Sequence, residues 1–156
     1  MQLPIEHSAK DSNPIDGIKY IYTQLGYAPD GFKDPSTNPY NVGSLNKFDQ
    51  KEFVQDGWTF DETTLGDFGY VYVPEACQTK SCNLHFAFHG CNASVINFAY
   101  NLGYNEFAAA NDIIMIYPDS SCWGGSDLED DNSLNRDGML SKTIMSMVDR
   151  VTSSSP

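Results

Sequence analysis

Basic residues are scarce in this chain. Only 9 lysines and arginines stand against 21 aspartates and glutamates in 156 residues, for a formal charge of -12. A surface of that sign repels phosphate backbones and anionic headgroups, so neither nucleic acid nor membrane is expected as a partner. No run approaches the roughly 18 apolar residues that would cross a bilayer. The start, Met1-Gln2-Leu3-Pro4-Ile5-Glu6-His7, has neither the basic nor the apolar region of a signal peptide, and no export signal is expected in the chain as written. The phosphate loop Gly-x-x-x-x-Gly-Lys and the dinucleotide fingerprint Gly-x-Gly-x-x-Gly are absent, as is any C-x-x-C pair of zinc-ligand spacing. The stretch from Ser133 to Ile144 comes nearest to a calcium loop, but it opens on serine and places isoleucine where a bidentate carboxylate has to close. No cofactor and no metal are expected. There is no internal repeat.

What is present is a chain of one domain's length, 40% hydrophobic and 13% aromatic, enough to bury a core. A single domain over 1–156 is expected, with a polar loop, a helix and an irregular loop over 1–44 and a sheet with helices over 45–151. The organising stretch is Leu84-His85-Phe86-Ala87-Phe88-His89-Gly90-Cys91. Leu84, Phe86 and Phe88 alternate with His85, Ala87 and His89, which predicts a buried strand broken by Gly90 and ended at Cys91. A helix from about Asn97 to Asn111 and a parallel strand over Ile113–Pro118 complete a strand–helix–strand unit. In such units function gathers at the carboxyl ends of the strands, the edge occupied here by His89, Gly90, Cys91 and the segment after Pro118.

Elsewhere, Ile15, Ile18, Tyr22 and Leu25 recur at helical spacing, with Ser12 or Asn13 as a cap and Gly26 as a stop. The proline- and glycine-bearing stretch 27–44 reads as a loop. Leu45–Val54 and Gly69–Pro74 are expected as an antiparallel strand pair. An acidic, glycine-rich loop over 119–137 precedes a closing helix from Gly138 to Val151.

Cys77 and Cys82 flank a short polar turn, while Cys91 and Cys122 each follow a strand end. Four cysteines allow three connectivities. Bridges Cys77–Cys82 and Cys91–Cys122 would imply an oxidising compartment. The alternative is four buried or free thiols in a cytosolic protein.

Several strings in succession carry a resemblance: Phe48-Asp49-Gln50-Lys51-Glu52-Phe53, Gly69-Tyr70-Val71-Tyr72-Val73-Pro74, Cys77, Cys82-Asn83-Leu84-His85, His89-Gly90-Cys91, Gly103-Tyr104-Asn105-Glu106, Asn111, Tyr117-Pro118, Cys122-Trp123 and Asp137-Gly138. In order and over most of the chain they resemble the poly(3-hydroxybutyrate) depolymerase family of secreted esterases. The resemblance implies part of a circularly permuted α/β-hydrolase fold, a mixed sheet of about four strands with flanking helices. It covers only the C-terminal part of the family's pattern, after the nucleophile. It also implies an extracellular location and a polyester or hydroxyalkanoate ester as substrate.

By that resemblance His7 in Glu6-His7-Ser8 is the general base, and Cys91 offers its backbone N–H to the tetrahedral oxyanion. Trp123 would lie as a flat apolar contact along the polymer, or else sit half-buried near a disulfide. His89 is expected to position the oxyanion turn, and His85 to be a hydrogen-bonded core or surface residue. Asp119 reads as a solvated loop aspartate. The nucleophile elbow Gly-x-Ser-x-Gly is missing, since Gly124-Gly125-Ser126-Asp127-Leu128 fails at its last position. The acidic run Asp127, Glu129, Asp130, Asp131 also departs from the family's tryptophan-rich tract. Asn92-Ala93-Ser94 is a glycosylation sequon beside the oxyanion position, where a glycan would obstruct the site.

Three functions follow as expectations. The first is a carboxylic ester hydrolase whose serine lies in a missing N-terminal half. The second is a catalytically inactive fragment. The third is a secreted polymer-binding module using Trp123, Tyr100 and Tyr104. Without the neighbouring nucleophile strand, one edge of Leu84–Phe88 is expected to stand open.

Overall fold

The computed structural model describes residues 14–27, 31–35, 38–123 and 135–153. Four strands, β1 (Gly43–Asp49), β2 (Phe68–Pro74), β3 (Asn83–Phe86) and β4 (Ile113–Tyr117), form one mixed sheet in the order β1-β2-β4-β3. β1 and β2 run antiparallel with Leu45 opposite Tyr72, β2 and β4 antiparallel with Val71 opposite Ile116, and β3 and β4 parallel with His85 opposite Met115. The parallel pair is the one joined by helices, because strands that point the same way need a crossover connection.

Helices α1 (Pro14–Gln24), α2 (Val95–Asn101) and α3 (Tyr104–Asn111) cover one face of the sheet, and α4 (Met139–Ser153) covers the other. Strand alternation sends neighbouring side chains to different layers. Ala87 joins Ile18, Tyr22, Ala99, Phe107 and Met115 under the first three helices, while Phe86 packs with Leu65, Leu140, Ile144 and Met147 on the α4 side. Leu140, Thr143, Ile144 and Met147 follow helical spacing, so α4 turns one stripe to the sheet.

Three expectations are corrected. Strand β1 stops at Asp49 and not at Val54, because the Asp49 carboxylate accepts from the Lys51 N–H and starts a tight turn over Gln50–Phe53. The helix expected over Asn97–Asn111 is two helices, parted at Gly103, whose φ of 74° lies in the left-handed region that ends a helix. Leu84, Phe86 and Phe88 are not fully buried: β3 is an edge strand paired only with β4 among the described residues, and Phe88 is 47% exposed.

Below the sheet, Asn105 ties α3 to its neighbours. Its Nδ2 donates to the Ala99 carbonyl at 2.8 Å, and its Oδ1 accepts the Tyr117 hydroxyl at 2.7 Å. Burial pushes the Tyr117 hydroxyl far above its usual ionisation range, so it stays a donor.

Candidate functional site

The parallel pair β3 and β4 ends on the same side, and everything that follows each strand is stitched to the other. The Ala87 N–H donates to the Ile116 carbonyl at 2.9 Å, which carries the pairing one step past β3. Gly90 opens a turn, and Asn92 takes a φ of 58° at its end. The Asn92 N–H then donates to the Ser121 carbonyl at 3.0 Å. Cys91 and Cys122 are bridged, so the two strand ends are also joined covalently. Cys77 and Cys82 form the other bridge, and no free cysteine remains.

The imidazole of His89 sits inside this junction with its side chain wholly buried. Its Nε2 lies 3.0 Å from Asp119 Oδ1 and its Nδ1 lies 2.8 Å from the Gly90 carbonyl oxygen. Asp119 is therefore not a free loop carboxylate, and that expectation is corrected. Its main chain is clamped by Gln50, which is buried completely. Gln50 Oε1 accepts the Asp119 N–H at 3.0 Å, while Nε2 donates to the Asp119 and Gly66 carbonyls. The Gly66 N–H donates back to the Asp119 carbonyl at 3.0 Å. A Cβ at Gly66 would run into the Asp119 carboxylate, so the close approach requires glycine there.

Trp123 is half-buried beside the disulfide. Its Nε1–H donates to the His89 carbonyl at 2.7 Å, and its ring meets Phe88 edge-on with centroids 4.8 Å apart. Phe88, Trp123, Leu140, Ile144 and Met145 give an apolar lining to an open groove of about 1030 Å³, with Arg136 among its polar members. His89 borders the same groove. Lys142, another lining residue, holds its Nζ 5.3 Å over the Trp58 ring.

His89, Cys91 and Trp123 are thus brought together. His7 lies outside the described residues, as do the Gly124–Leu128 stretch and the acidic run. His85 is elsewhere: it packs on the Tyr22 ring, centroids 5.8 Å apart, and its ring makes no hydrogen bond among the described residues. Burial alone lowers its pKa. Tyr100 packs against Tyr40 on the α2 side of the sheet, away from Trp123. Among the described residues no three His, Cys, Asp or Glu side chains gather as a metal site would require. Sequence reasoning passed over the Gln50–Asp119 clamp. The available signal was Gln50 two residues after Phe48, which on a strand period places a polar side chain on the apolar face.

Comparison with known proteins bears on the fold and the family of the chain. No family model matches the chain. A poly(3-hydroxybutyrate) depolymerase from Delftia acidovorans is 33% identical over 125 residues, covering 72% of this chain and 24% of that protein. A polyhydroxybutyrate depolymerase from Talaromyces funiculosus is 33% identical over 110 residues, covering 62% and 32%. The chain thus spans a quarter to a third of these relatives' length. Among solved structures, the crystal structure of PHB depolymerase from Penicillium funiculosum superposes with a TM-score of 0.66 at 23% identity, over 85% of this chain and 47% of that one. A PHB depolymerase variant complexed with an R3HB trimer gives a TM-score of 0.58. At that identity the structural likeness speaks for the fold, a partial α/β-hydrolase. Taken with the sequence relatives, it places the chain, over the part it spans, in the poly(3-hydroxybutyrate) depolymerase family.

Proposed function

We propose that this chain forms the oxyanion-hole side of a serine ester hydrolase acting on hydroxyalkanoate esters, in an extracellular, circularly permuted α/β-hydrolase. The nucleophile belongs to a segment whose Gly-x-Ser-x-Gly signature this sequence lacks. Cys91 offers its backbone N–H to the oxyanion, His7 is the general base, and Trp123 with its groove receives the apolar part of the ester. The observation that carries this reading is the Cys91 N–H itself. It stands in the disulfide-bridged turn after β3, engaged by no hydrogen bond among the described residues, two residues beyond His89, which borders the apolar groove. An oxyanion hole needs a fixed, unspent donor of this kind.

The test is hydrolysis of a short-chain p-nitrophenyl ester by the purified chain, alongside labelling with a serine-directed phosphonate and intact mass. Neither turnover nor labelling is expected from the chain alone, and both are expected once a nucleophile-bearing segment of a family member is added. Turnover by the chain alone would place the serine within it. A second reading, a polymer-binding module, is favoured by the exposed Phe88 and Met145 beside Trp123. Adsorption to a polyester film without hydrolysis, even with the segment added, would select it.

A further inference from the structure

The groove beside Trp123 holds more charge than an ester needs. Its walls are apolar, with Phe88 47% and Met145 51% exposed, and an uncharged polyester chain gives a cation no counter-charge. Yet Arg136 and Lys142 line the same groove. In a chain of formal charge -12 cations are few, and most are engaged elsewhere. Lys19, Lys51, Lys80 and Arg150 each pair with a carboxylate, and the Lys47 ammonium lies 3.5 Å over the Phe68 ring. Neither Arg136 nor Lys142 forms an ion pair among the described residues, with the groove's own carboxylate, Asp137, or with any other.

Apolar walls with a guanidinium and an ammonium among them fit a short apolar chain that ends in a carboxylate. The planar fork of an arginine matches the two oxygens of that group. Lys142 adds a second positive charge, its Nζ held 5.3 Å over the Trp58 ring. The acidic surface elsewhere does not cancel these contacts, because exposed charges more than about 8 Å apart are largely screened at physiological ionic strength. With a volume of about 1030 Å³ the groove has room for an oligomer and not only for a single hydroxyacid. Polyester hydrolysis makes such a ligand. Water supplies its hydroxyl to the acyl carbon and its proton to the alkoxy oxygen as the C–O bond between them breaks. Each cut therefore leaves one new carboxylate end and one new hydroxyl end.

We propose that the groove is a carboxylate-end site, in which Arg136 and Lys142 hold the terminal carboxylate of a hydroxyalkanoate oligomer whose chain lies against Phe88, Trp123 and Met145. This deepens the hydrolase reading and rests on it for the chemistry of the chain bound. The preferred substrate is then a soluble, acid-ended oligomer and not the interior of a polymer. A reaction that cuts the polymer internally has to supply it.

The test is a binding titration of the purified chain at neutral pH, followed by tryptophan fluorescence. Both tryptophans of the chain report on this region, since Trp123 lines the groove and Trp58 lies under Lys142. An R3HB trimer is added as the free acid and, separately, as its methyl ester, which differs only in lacking the charge. The acid is expected to bind about tenfold more tightly, as a charge-assisted contact to arginine predicts. Equal affinities, or no binding of either, overturn the proposal. Arg136→Gln and Lys142→Gln are expected to weaken the acid several-fold and to leave the ester unchanged; acid binding untouched by both substitutions also overturns it. Hexanoate, a carboxylate on a plain chain, is expected to bind more weakly than the trimer acid because it spans less of the groove. Equal binding of hexanoate would make this a general fatty-carboxylate site and overturn the assignment to an oligomer. None of these readouts needs hydrolysis. Acid preference in a chain that stays inert with the nucleophile-bearing segment added fails the functional reading alone, and hydrolysis with equal binding of acid and ester fails this inference alone.

Discussion

At the scale of single residues, buried polar groups carry the specificity of this fold, and each is matched. No buried side-chain nitrogen or oxygen is left without a partner among the described residues. Gln50 shows what such matching is worth. Gln50→Leu keeps the volume but strands the Asp119 N–H and the Gly66 carbonyl, at roughly 1–3 kcal/mol for each buried group. The expected loss is read as a lower urea midpoint. His85 gives a residue-scale pH effect of defined sign. Its folded pKa is lowered by burial, so the unfolded chain takes up the proton first. Stability is expected to be full above the ordinary histidine value of about 6.5 and to fall as pH drops below it. Melting curves of the chain and of His85→Gln should diverge only on the acid side; parallel curves would show that His85 is not the source.

At the scale of elements, two boundaries are decisive. Gly103 separates α2 from α3 with a left-handed backbone, and a Cβ there would sit 3.3 Å from Ile15 Cδ1 of α1. Gly103→Ala is expected to cost roughly 1–2 kcal/mol from backbone strain alone, measured by chemical denaturation. The other boundary is the open side of β3. In a parallel pair alternate residues direct both backbone groups to the same side, and with Ala87 turned to β4 the groups of Leu84 and Phe86 point outward. The Tyr22 hydroxyl reaches the Leu84 carbonyl at 3.4 Å, and no strand covers the rest among the described residues. An apolar edge without lysine or proline invites pairing. Concentration-dependent association in sedimentation velocity is expected, and a strictly monomeric chain with a sharp two-state melt would contradict it.

At the scale of the whole molecule, the aromatic core sets the alkaline limit. Burial pushes Tyr22 and Tyr72 each up to about 12, and Tyr117 higher still. An acid whose pKa is raised by folding keeps its proton longer in the folded chain. Its contribution is complete below the unfolded value of about 10 and is lost as pH rises toward the folded one. Stability is thus expected to fall between about pH 10 and 12, with tyrosinate absorbance appearing together with unfolding. Tyrosinate forming well before unfolding would show that these hydroxyls reach solvent in the folded state. The two disulfides act at the same scale. One closes the turn before β3, and the other locks the segments that follow β3 and β4, where the site lies.

The sequence by itself determined the elements whose periodicity is strong and local. The antiparallel pairing of β1 with β2, the parallel β3 and β4 and the closing helix α4 follow from alternation, helical spacing and turn residues within short windows, whereas the choice among the cysteine pairings was made by the fold. The family was legible because its strings recur in order along most of the chain. Only tertiary structure decided what depends on distant partners. Asp119 reads as an ordinary loop residue until His89, thirty positions away in sequence, and Gln50, farther still, are folded against it. His85 and His89 have the same local pattern, yet one meets an aromatic ring and the other two acceptors. Burial and hydrogen bonding are properties of neighbours in space, and a short stretch of sequence does not record which neighbours those are.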